Sequence, residues 1–327
     1  MKTRIGWSLL AVFLACGVAL DVSAVMQSRA RDRQSSNQPR LVYAGASRPD
    51  DSPKISGRSD IQHMAFYGAQ VTDDQVALVD QSHDLQVLTL LNCSGVTDEA
   101  LTHIAQHTTL KRLMVDGAQV TDAGLAKLAA LTNLEDLTLG DLPNVTDQGL
   151  AVLSSLPNLK RLVIGGGRFT GSGLSQLAAP EKLEFLSLYG RGVSDETVPV
   201  LARLTNLTSL NLYDTAITDR ALQTVAGLAK LEHVWLVKTN VTDAGIKQLA
   251  SLTALKELDC QKTQVTVAGI TPFQNKNLQF WSGTDERDYM GGSLLSLKLL
   301  GVWLLSGLVM AGAMYCFRLP PLFGAEK

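Results

Sequence analysis

The sequence has little of several features that would define a protein class directly. Four cysteines in 327 residues are too few for a scaffold held together by disulfides. A formal net charge of −2 argues against a dedicated nucleic-acid-binding protein, which would usually carry a basic patch. Aromatic residues make up only 6% of the chain, so a local concentration of them is informative. No Ser/His/Asp or Cys/His constellation and no HExxH motif occurs, and we therefore expect a protein that is not an enzyme and has no cofactor.

A repeat with a step of 24 or 25 residues runs through most of the chain. Eight full units extend from Val71 to Gln264, a half unit precedes them at residues 61–70, and a decaying ninth begins at Val265. Self-similarity at such a step is the signature of a solenoid, in which each unit packs only against its neighbours. Val-Thr-Asp or a variant opens the units at residues 71–73, 96–98, 120–122, 145–147, 193–195, 217–219 and 241–243, with degenerate copies at 169–171 and 265–267.

The unit around Thr121 shows what each repeat is predicted to build. Thr121 is a favourable helix N-cap, and Asp122 places a negative charge in the first turn, at the positive end of the helix dipole. Apolar residues continue along one helical face until Asn133 ends the run, after which Leu137 and Leu139 alternate as in a short strand. Each unit is therefore predicted to be one helix and one strand, which bury their apolar sides only against neighbouring units.

The pattern L-x-x-L-x-L-x-x-[TAC]-x-[VI]-T-D-x-G-L-x-x-L resembles the leucine-rich repeat family over about residues 59–286. It looks most like the short bacterial repeats of the TDxGL kind and is similar to the cysteine-containing subtype found in F-box adaptors. The resemblance implies an α/β solenoid with parallel strands on a concave face and helices on a convex face. No F-box helices are visible, so the adaptor role is not carried over. The family usually has Asn or Cys after the strand; here the residues are Cys93, Ala118, Gly167, Arg191, Thr215, Thr239 and Thr263.

The two ends of the chain predict attachment to a membrane. Residues 1–25 contain an uncharged apolar run behind two basic residues, which is either a signal peptide or an N-terminal membrane anchor. Residues 292–317 are predicted to be a transmembrane helix, because they include 19 consecutive uncharged residues, enough to cross roughly 28 Å of bilayer. Residues 26–58, rich in Arg, Ser, Asp, Gln and Pro, are predicted to be a disordered linker, and residues 318–327 a short cytoplasmic tail.

Charges beside the two apolar segments predict their orientation. Arg318 and Lys327 follow the second segment and basic residues precede the first, which places both termini inside by the positive-inside rule. Arg29, Arg31 and Arg33 argue for the opposite orientation. We expect the repeats to lie outside the cytoplasm, in a bacterial inner-membrane protein whose repeat domain faces the periplasm.

Three patterns that resemble metal or phosphate sites have simpler explanations. The Asp that recurs in each unit, such as Asp98, lacks the D-x-D-x-D-G spacing of a calcium loop, and helix-start chemistry accounts for it. Glu99, His103 and His107 follow one another at helical spacing, but we expect a solvated convex face there. The glycine-rich turn at 163–173 lacks the GK[ST] ending of a nucleotide loop. No metal site is predicted.

The residues between the inward leucines of each strand are predicted to face the concave side, where a partner would bind. Four aromatic residues and one histidine converge there in units five to seven: Phe185, Tyr189, Tyr213, His233 and Trp235. Tyr and Trp are enriched at binding hot spots because they bury a large area at a low entropic cost. We predict this group as the partner-binding surface; in the alternative interpretation, some of the rings only pack across neighbouring strands.

The expected function is that of a membrane-anchored repeat protein that binds a protein or another macromolecule through its concave face, outside the cytoplasm. Its predicted partners are that macromolecule and the membrane, and not nucleic acid. Three other functions remain open, because this fold by itself does not select one. They are a structural protein of the cell envelope without a discrete ligand, an intracellular adaptor of the F-box kind, and an enzyme whose site no motif reveals.

Overall fold

A parallel sheet organises the repeats. The computed structural model describes residues 40–44, 61–273 and 278–283. Eleven strands lie side by side in the order of the sequence, and the neighbouring strands pair in parallel. Helical segments connect the consecutive strands from the second strand to the eleventh. The predicted α/β solenoid of parallel strands and helices is confirmed.

The strands are three to seven residues long, which is typical of a solenoid built from short units. They are β1 Arg40–Ala44, β2 Ile61–Tyr67, β3 Val87–Leu91, β4 Arg112–Asp116, β5 Asp136–Gly140, β6 Arg161–Gly165, β7 Phe185–Tyr189, β8 Ser209–Asn211, β9 His233–Trp235, β10 Glu257–Gln261 and β11 Gln279–Gly283.

The helical segments are a mixture of short α-helices and 3₁₀ helices. The α-helices of the described residues are α1 Asp73–Val76, α2 Asp98–Ile104, α3 Asp122–Lys127, α4 Asp219–Val225, α5 Asp243–Gln248 and α6 Val267–Ile270. The 3₁₀ segments are Ala77–Gln81, Leu128–Ala130, Gly149–Ser155, Ser172–Gln176, Pro180–Lys182, Val198–Arg203, Leu249–Ser251 and Thr271–Phe273.

Three units in the middle of the solenoid have 3₁₀ segments where other units have an α-helix. Gly149–Ser155, Ser172–Gln176 and Val198–Arg203 are entirely 3₁₀. Pro199 lies at the start of the third segment, where it fixes its own backbone and donates no hydrogen bond. Gly171 precedes the second segment with φ of 88°, outside the range of a helical residue.

Leucines at one position of successive strands stack into a continuous core. Leu88, Leu113, Leu137, Leu162 and Leu186 are register partners on β3 to β7, and each is at most 1% exposed. They belong to one cluster of buried residues that extends from the first described unit to the last. Neighbouring units therefore share their apolar interior, as the repeat predicts.

The first strand corrects part of the predicted linker. β1 lies within residues 26–58, and it pairs in parallel with β2. The prediction of disorder therefore does not hold for Arg40–Ala44, where pairing with the first repeat satisfies backbone hydrogen bonds. The rest of the predicted linker lies outside the described residues.

The predicted membrane segments also lie outside the described residues, which do not include residues 1–25, 292–317 or 318–327. Within the part of the chain that the structure describes, no helix is both long and apolar enough to cross a bilayer.

A ladder of Asp and Thr side chains connects successive units. The Asp at the start of one helix accepts two hydrogen bonds from the Thr of the next unit, one from its backbone N–H and one from its hydroxyl. The hydroxyl bonds measure 2.5–2.7 Å. The pairs are Asp73–Thr97, Asp98–Thr121, Asp122–Thr146, Asp147–Thr170, Asp195–Thr218, Asp219–Thr242 and Asp243–Thr266.

This ladder adds to the explanation given above for the repeated Thr-Asp pair. The hydroxyls of Thr97, Thr218, Thr242 and Thr266 accept the predicted capping bond and also donate to an Asp of the preceding unit. Thr121 does occupy the N-cap of α3, but its side chain accepts no capping bond and donates to Asp98 instead. The carboxylate of Asp98 is thus a bridge between two units, 2.7 Å from the backbone nitrogen of Thr121. The helix dipole alone does not account for the Asp, because its oxygens are occupied by the next unit.

The glycine of the TDxGL motif leaves room for the same carboxylate. A Cβ atom added to Gly124 would lie 2.0 Å from Oδ1 of Asp98, and one added to Gly245 would lie 2.2 Å from Oδ1 of Asp219. Such distances are far below van der Waals contact. Thr, Asp and the small residue of the motif therefore form one contact between units. That small residue is glycine in most units, but Ala100 and Ala221 occupy the position in two units whose Asp–Thr bonds are also present.

The ladder is interrupted once in the described repeats, between the units that begin at Thr170 and Ser194. Gly171 stands where other units have Asp, so no carboxylate reaches the next unit. Thr197 instead donates its hydroxyl hydrogen bond to the backbone carbonyl of Thr170. The glycine-rich turn that precedes this interruption is a local irregularity in a degenerate unit.

Candidate functional site

The site is built on the face of the sheet opposite the leucine core, which we call the open face. Register partners of a parallel sheet lie on the same face, so the side chains between the leucines form rows across the strands. The first row is Arg112, Asp136, Arg161, Phe185, Ser209, His233 and Glu257. The second is Met114, Thr138, Val163, Ser187, Asn211, Trp235, Asp259 and Trp281. The third includes Asp116, Gly140, Gly165 and Tyr189.

Four of the five predicted partner-binding residues pack together on this face. Phe185, Tyr189 and Trp235 form a buried cluster with Val163, and Tyr213 packs against it while remaining partly exposed. The exposed fractions of Phe185, Tyr189 and Trp235 are 3%, 8% and 7%. Packing across neighbouring strands, the alternative that the sequence left open, therefore describes these three rings. We call this group the aromatic cluster; it is separate from the leucine core.

His233, the fifth predicted residue, is joined to the cluster through Trp235. Their rings stack with centroids 5.7 Å apart and an interplanar angle of 10°. Glu257 on β10 fixes both: its Oε1 accepts from the indole N–H at 2.8 Å, and its Oε2 lies 2.9 Å from His233 Nδ1. The indole is therefore buried with its donor satisfied, and the half-buried imidazole is held at the edge of the cluster.

Two cations lie over rings of the aromatic cluster. The guanidinium carbon of Arg161 is 4.2 Å from the centroid of Phe185. The ammonium of Lys238 is 4.9 Å from the centroid of Tyr213 and donates to its hydroxyl at 2.7 Å. Both distances are within the range of cation–π attraction. The rings of Phe185 and Tyr213 are thus held in place by charged neighbours.

A carboxylate lies between two tryptophans in the second row. Asp259 is the register partner of Trp235 on one side and of Trp281 on the other. Burial raises the pKa of Asp259 to about 6, against the opposing effect of a hydrogen bond from the backbone of Gln261 and with a smaller increase from the charge of Glu257. No ion pair involves Asp259 in the described residues. Two carboxylates, those of Glu257 and Asp259, therefore lie on β10 beside the aromatic cluster.

The histidines at the end of α2 form a different arrangement from the predicted solvated face: His103 lies in its last turn, and His107 follows it. His107 is buried, and its Nε2 has no hydrogen-bond partner in the described residues. Asp80 lies between the two histidines: its Oδ1 is 3.8 Å from Nε2 of His107, and its Oδ2 is 2.7 Å from Nδ1 of His103. Glu99, the third residue of the pattern, is exposed. Burial lowers the pKa of His107, whereas the charge of Asp80 raises it. Over the described ranges, no three His, Cys, Asp or Glu side chains form a group that could hold a metal ion.

The sequence analysis missed the charged residues that hold the aromatic cluster in place. Glu257 stands next to His233 in the first row, and Arg161 stands next to Phe185 in the same row. Reading each row for charge as well as for aromatic character would have found both residues. Lys238 follows a strand end with φ of 59°, a conformation that the sequence does not signal for lysine.

One of the comparisons with known proteins supports the repeat assignment, namely the match to a family model. A family model described as Leucine Rich repeat matches residues 106–129 and 203–226. No curated protein matches the chain. The structure is similar to that of an internalin C2 from Listeria monocytogenes, with 24% identity, a TM-score of 0.47, and coverage of 65% of this chain and 84% of that one. It is also similar to an internalin of the inlF type from Listeria monocytogenes, with 16% identity, a TM-score of 0.40, and coverage of 70% and 82%. The cysteine-containing subtype is not confirmed.

Proposed function

We propose that this leucine-rich repeat protein binds another protein through its open face, and that the aromatic cluster with His233 is the centre of the interface. The observation that carries the proposal is the arrangement of four rings on β7 to β9, each fixed by packing or by a charged neighbour. The chain acts as a binding protein and not as an enzyme. This proposal keeps the function that the sequence analysis favours.

Pre-organisation is the physical reason for placing the interface there. A partner that docks on flexible side chains loses their conformational freedom, which costs about 0.5–1.5 kcal/mol for each immobilised side chain. Glu257 holds Trp235, and Lys238 holds Tyr213. Most of the conformational freedom of these side chains is therefore already lost on folding, before a partner binds. The partly exposed rings of Tyr213 and His233 then offer apolar area together with polar edges, which is typical of hot-spot residues.

Charged residues of both signs lie on either side of the aromatic cluster. Arg112 and Arg161 lie on the side of β4 to β6, with Asp136 between them at 2.7 and 3.4 Å. Glu257 on β10 and Lys238 lie on the other side. A partner with charged groups of both signs fits this surface. Such complementarity contributes mainly to specificity and to the rate of association.

We further propose that the repeats are tethered to a membrane outside the cytoplasm. The support for this part is the uncharged run within residues 292–317, the apolar run within residues 1–25, and the basic residues that flank both. A tether concentrates the repeats at the membrane, so a modest affinity for the partner suffices.

Site-specific photo-crosslinking tests the proposal in the membrane of the cell. A photo-reactive amino acid in place of Tyr213 lies on the open face, and one in place of exposed Ser154 lies on the helical side as a matched control. We expect a covalent adduct with a partner protein from position 213 and none from position 154. No adduct from position 213, or the same adduct from both, contradicts binding through the open face.

A further inference from the structure

A buried carboxylate without a partner stands at the edge of the aromatic cluster. Asp116 ends β4 in the third row and is 0% exposed. Neither of its carboxylate oxygens has a hydrogen-bond partner in the described residues. Leaving an ionised carboxylate in this state is costly, because burial removes water and, among the described residues, only the backbone N–H of Asn92 favours the charged form. The sequence analysis assigned no role to this residue.

Tyr189 reaches this carboxylate across two glycines. Asp116, Gly140, Gly165 and Tyr189 are successive register partners on β4 to β7. The ring of Tyr189 lies over Gly165, where an added Cβ would be 2.4 Å from the ring. An added Cβ on Gly140 would be 2.7 Å from the Tyr189 hydroxyl and 2.3 Å from Oδ2 of Asp116. The two oxygens therefore approach each other over Gly140.

The hydroxyl of Tyr189 is the second unpartnered group. Its oxygen is buried and has no hydrogen-bond partner in the described residues. Burial raises the pKa of Tyr189 well above its usual value, and the negative charges of Asp141 and Asp116 raise it further, against a smaller opposing effect of the backbone of Asp141. The phenol is therefore a neutral oxygen ligand that points toward an acidic residue.

Asp141 adds a second carboxylate to the same place. It follows β5 with φ of 45°, and its Oδ1 lies over Gly166, 1.7 Å from where a Cβ of that glycine would be. Burial raises the pKa of Asp141, and burial together with the charge of Asp141 raises the pKa of Asp116 to about 6. No lysine or arginine within the described ranges pairs with either carboxylate. Two negative charges therefore share one partly buried space without compensation.

We propose that Asp116, Asp141 and Tyr189 bind a hard divalent cation, and specifically Ca²⁺. The three residues offer only oxygen ligands, which hard cations prefer, and no histidine or cysteine, which softer metals require. They come from three different units, and Ca²⁺ accepts irregular coordination with more ligands, whereas Mg²⁺ demands a near-ideal octahedron. Water molecules complete the coordination shell on the side of Asp141, which is partly exposed.

The ion would couple this site to the aromatic cluster. Tyr189 belongs to both, since its ring packs with Phe185 and Trp235 while its hydroxyl faces Asp116. Binding of Ca²⁺ therefore fixes the ring that covers the two glycines. The inference does not depend on the proposed partner, because it concerns the ion alone.

Calcium titration of the purified full chain, stripped with EDTA, tests the site. We expect CaCl₂ to raise the thermal unfolding midpoint of the wild type, with a Kd by calorimetry of about 10⁻⁴–10⁻³ M, typical of sites with few charged ligands. Asp116→Asn should weaken the Kd by about tenfold or more, since it removes one of two ligand charges. Tyr189→Phe should weaken it by a smaller factor.

Asp214→Asn is the matched control. Asp214 follows β8 with φ of 53°, as Asp141 follows β5, but it pairs with Arg191 at 3.0 Å. This variant should keep the calcium response of the wild type. The proposal is overturned if CaCl₂ leaves the wild type unchanged, or if Asp116→Asn and Asp214→Asn have the same effect. If CaCl₂ has no effect on the wild type, a hydrogen bond from the Tyr189 hydroxyl to Asp116 would instead explain why these two polar groups are buried together.

Discussion

Trp235 donates its indole N–H to Glu257 at 2.8 Å across the boundary between two repeats. The bond fixes a ring that is 7% exposed, and the second carboxylate oxygen of Glu257 holds His233. One residue that the repeat pattern does not specify thus positions two of the five predicted partner-binding residues.

Glu257→Ala should therefore destabilise the fold and weaken partner binding. The indole N–H would be left buried without an acceptor, which costs about 1–3 kcal/mol of unfolding free energy. Glu257→Gln keeps one acceptor for the indole and should retain most of the stability. Urea unfolding measures both. Glu196→Ala, which removes an exposed ion pair with Arg220, should change stability by less than about 0.5 kcal/mol. Equal losses for Glu257→Ala and Glu196→Ala would show that the bond has no such role.

The Asp–Thr ladder predicts that two acids near helix starts differ in importance. Asp98→Ala removes an acceptor of two hydrogen bonds from Thr121 and should cost about 1.5–3 kcal/mol of unfolding free energy. Asp74→Ala removes an exposed acid from the first turn of α1 that has no place in the ladder, and should cost about 0.3–1 kcal/mol. Urea unfolding of the two variants distinguishes the explanations. If both cost the same, the helix dipole suffices and the ladder adds nothing.

A side chain at Gly124 should cost stability while Asp98 keeps its present position, although two other units accommodate Ala100 and Ala221 at the equivalent place. The Cβ of Gly124→Ala would lie 2.0 Å from Oδ1 of Asp98, and such overpacking costs about 1–3 kcal/mol of stability. In a double-mutant cycle, Asp98→Ala should remove part of the penalty, because the clashing atom is gone. Gly227→Ala, whose nearest atom is the Thr224 carbonyl oxygen at 3.2 Å, serves as the control. Additive effects of Gly124→Ala and Asp98→Ala would argue that the contact is not real.

Stability in EDTA should fall as the pH rises from about 4 to 6, in part because of Asp116. Its pKa is raised to about 6 in the folded chain from a usual 3.8, so the folded state keeps a proton that the unfolded state loses. That contribution is complete below pH 4 and is lost as the pH rises through 6, by up to about 1.4 kcal/mol per pH unit.

Urea unfolding of Asp116→Asn and the wild type at several pH values measures this dependence. As the pH rises from 4 to 6, the wild type should lose unfolding free energy relative to Asp116→Asn, which has no carboxylate to titrate at this position. Asp259→Asn should show a change of the same sign, because burial also raises the pKa of Asp259 to about 6. A difference that is independent of pH would show that Asp116 titrates as an ordinary carboxylate.

The regular part of the fold follows from the sequence because leucine spacing is a local signal. The strands around Leu137 and Leu162 are where the L-x-L pattern places them, and both side chains are buried as predicted. The residues that Asp98 and Gly124 contact could not be predicted from the spacing within one unit. Each contacts a residue in the neighbouring unit, and within one unit the Asp is indistinguishable from a helix-start acid.

The site was predicted in composition but not in geometry. Row positions correctly gather Phe185, Tyr189 and Trp235 on one face, yet periodicity does not show that the rings cover one another. Tyr189 extends across two strands because Gly140 and Gly165 have no side chains there. The two glycines belong to other repeats, so the repeat that contains Tyr189 gives no sign of where its side chain lies.

The most direct test of the account is the affinity of the captured partner protein for a variant that changes only the exposed part of the site. Tyr213→Ala combined with His233→Ala removes the two side chains that the aromatic cluster presents, and calorimetry against the wild type measures the effect. We expect the affinity to fall by about tenfold or more, as for hot-spot residues, while Gln223→Ala on the exposed side of α4 leaves it unchanged. Wild-type affinity in the double variant would contradict binding through the open face.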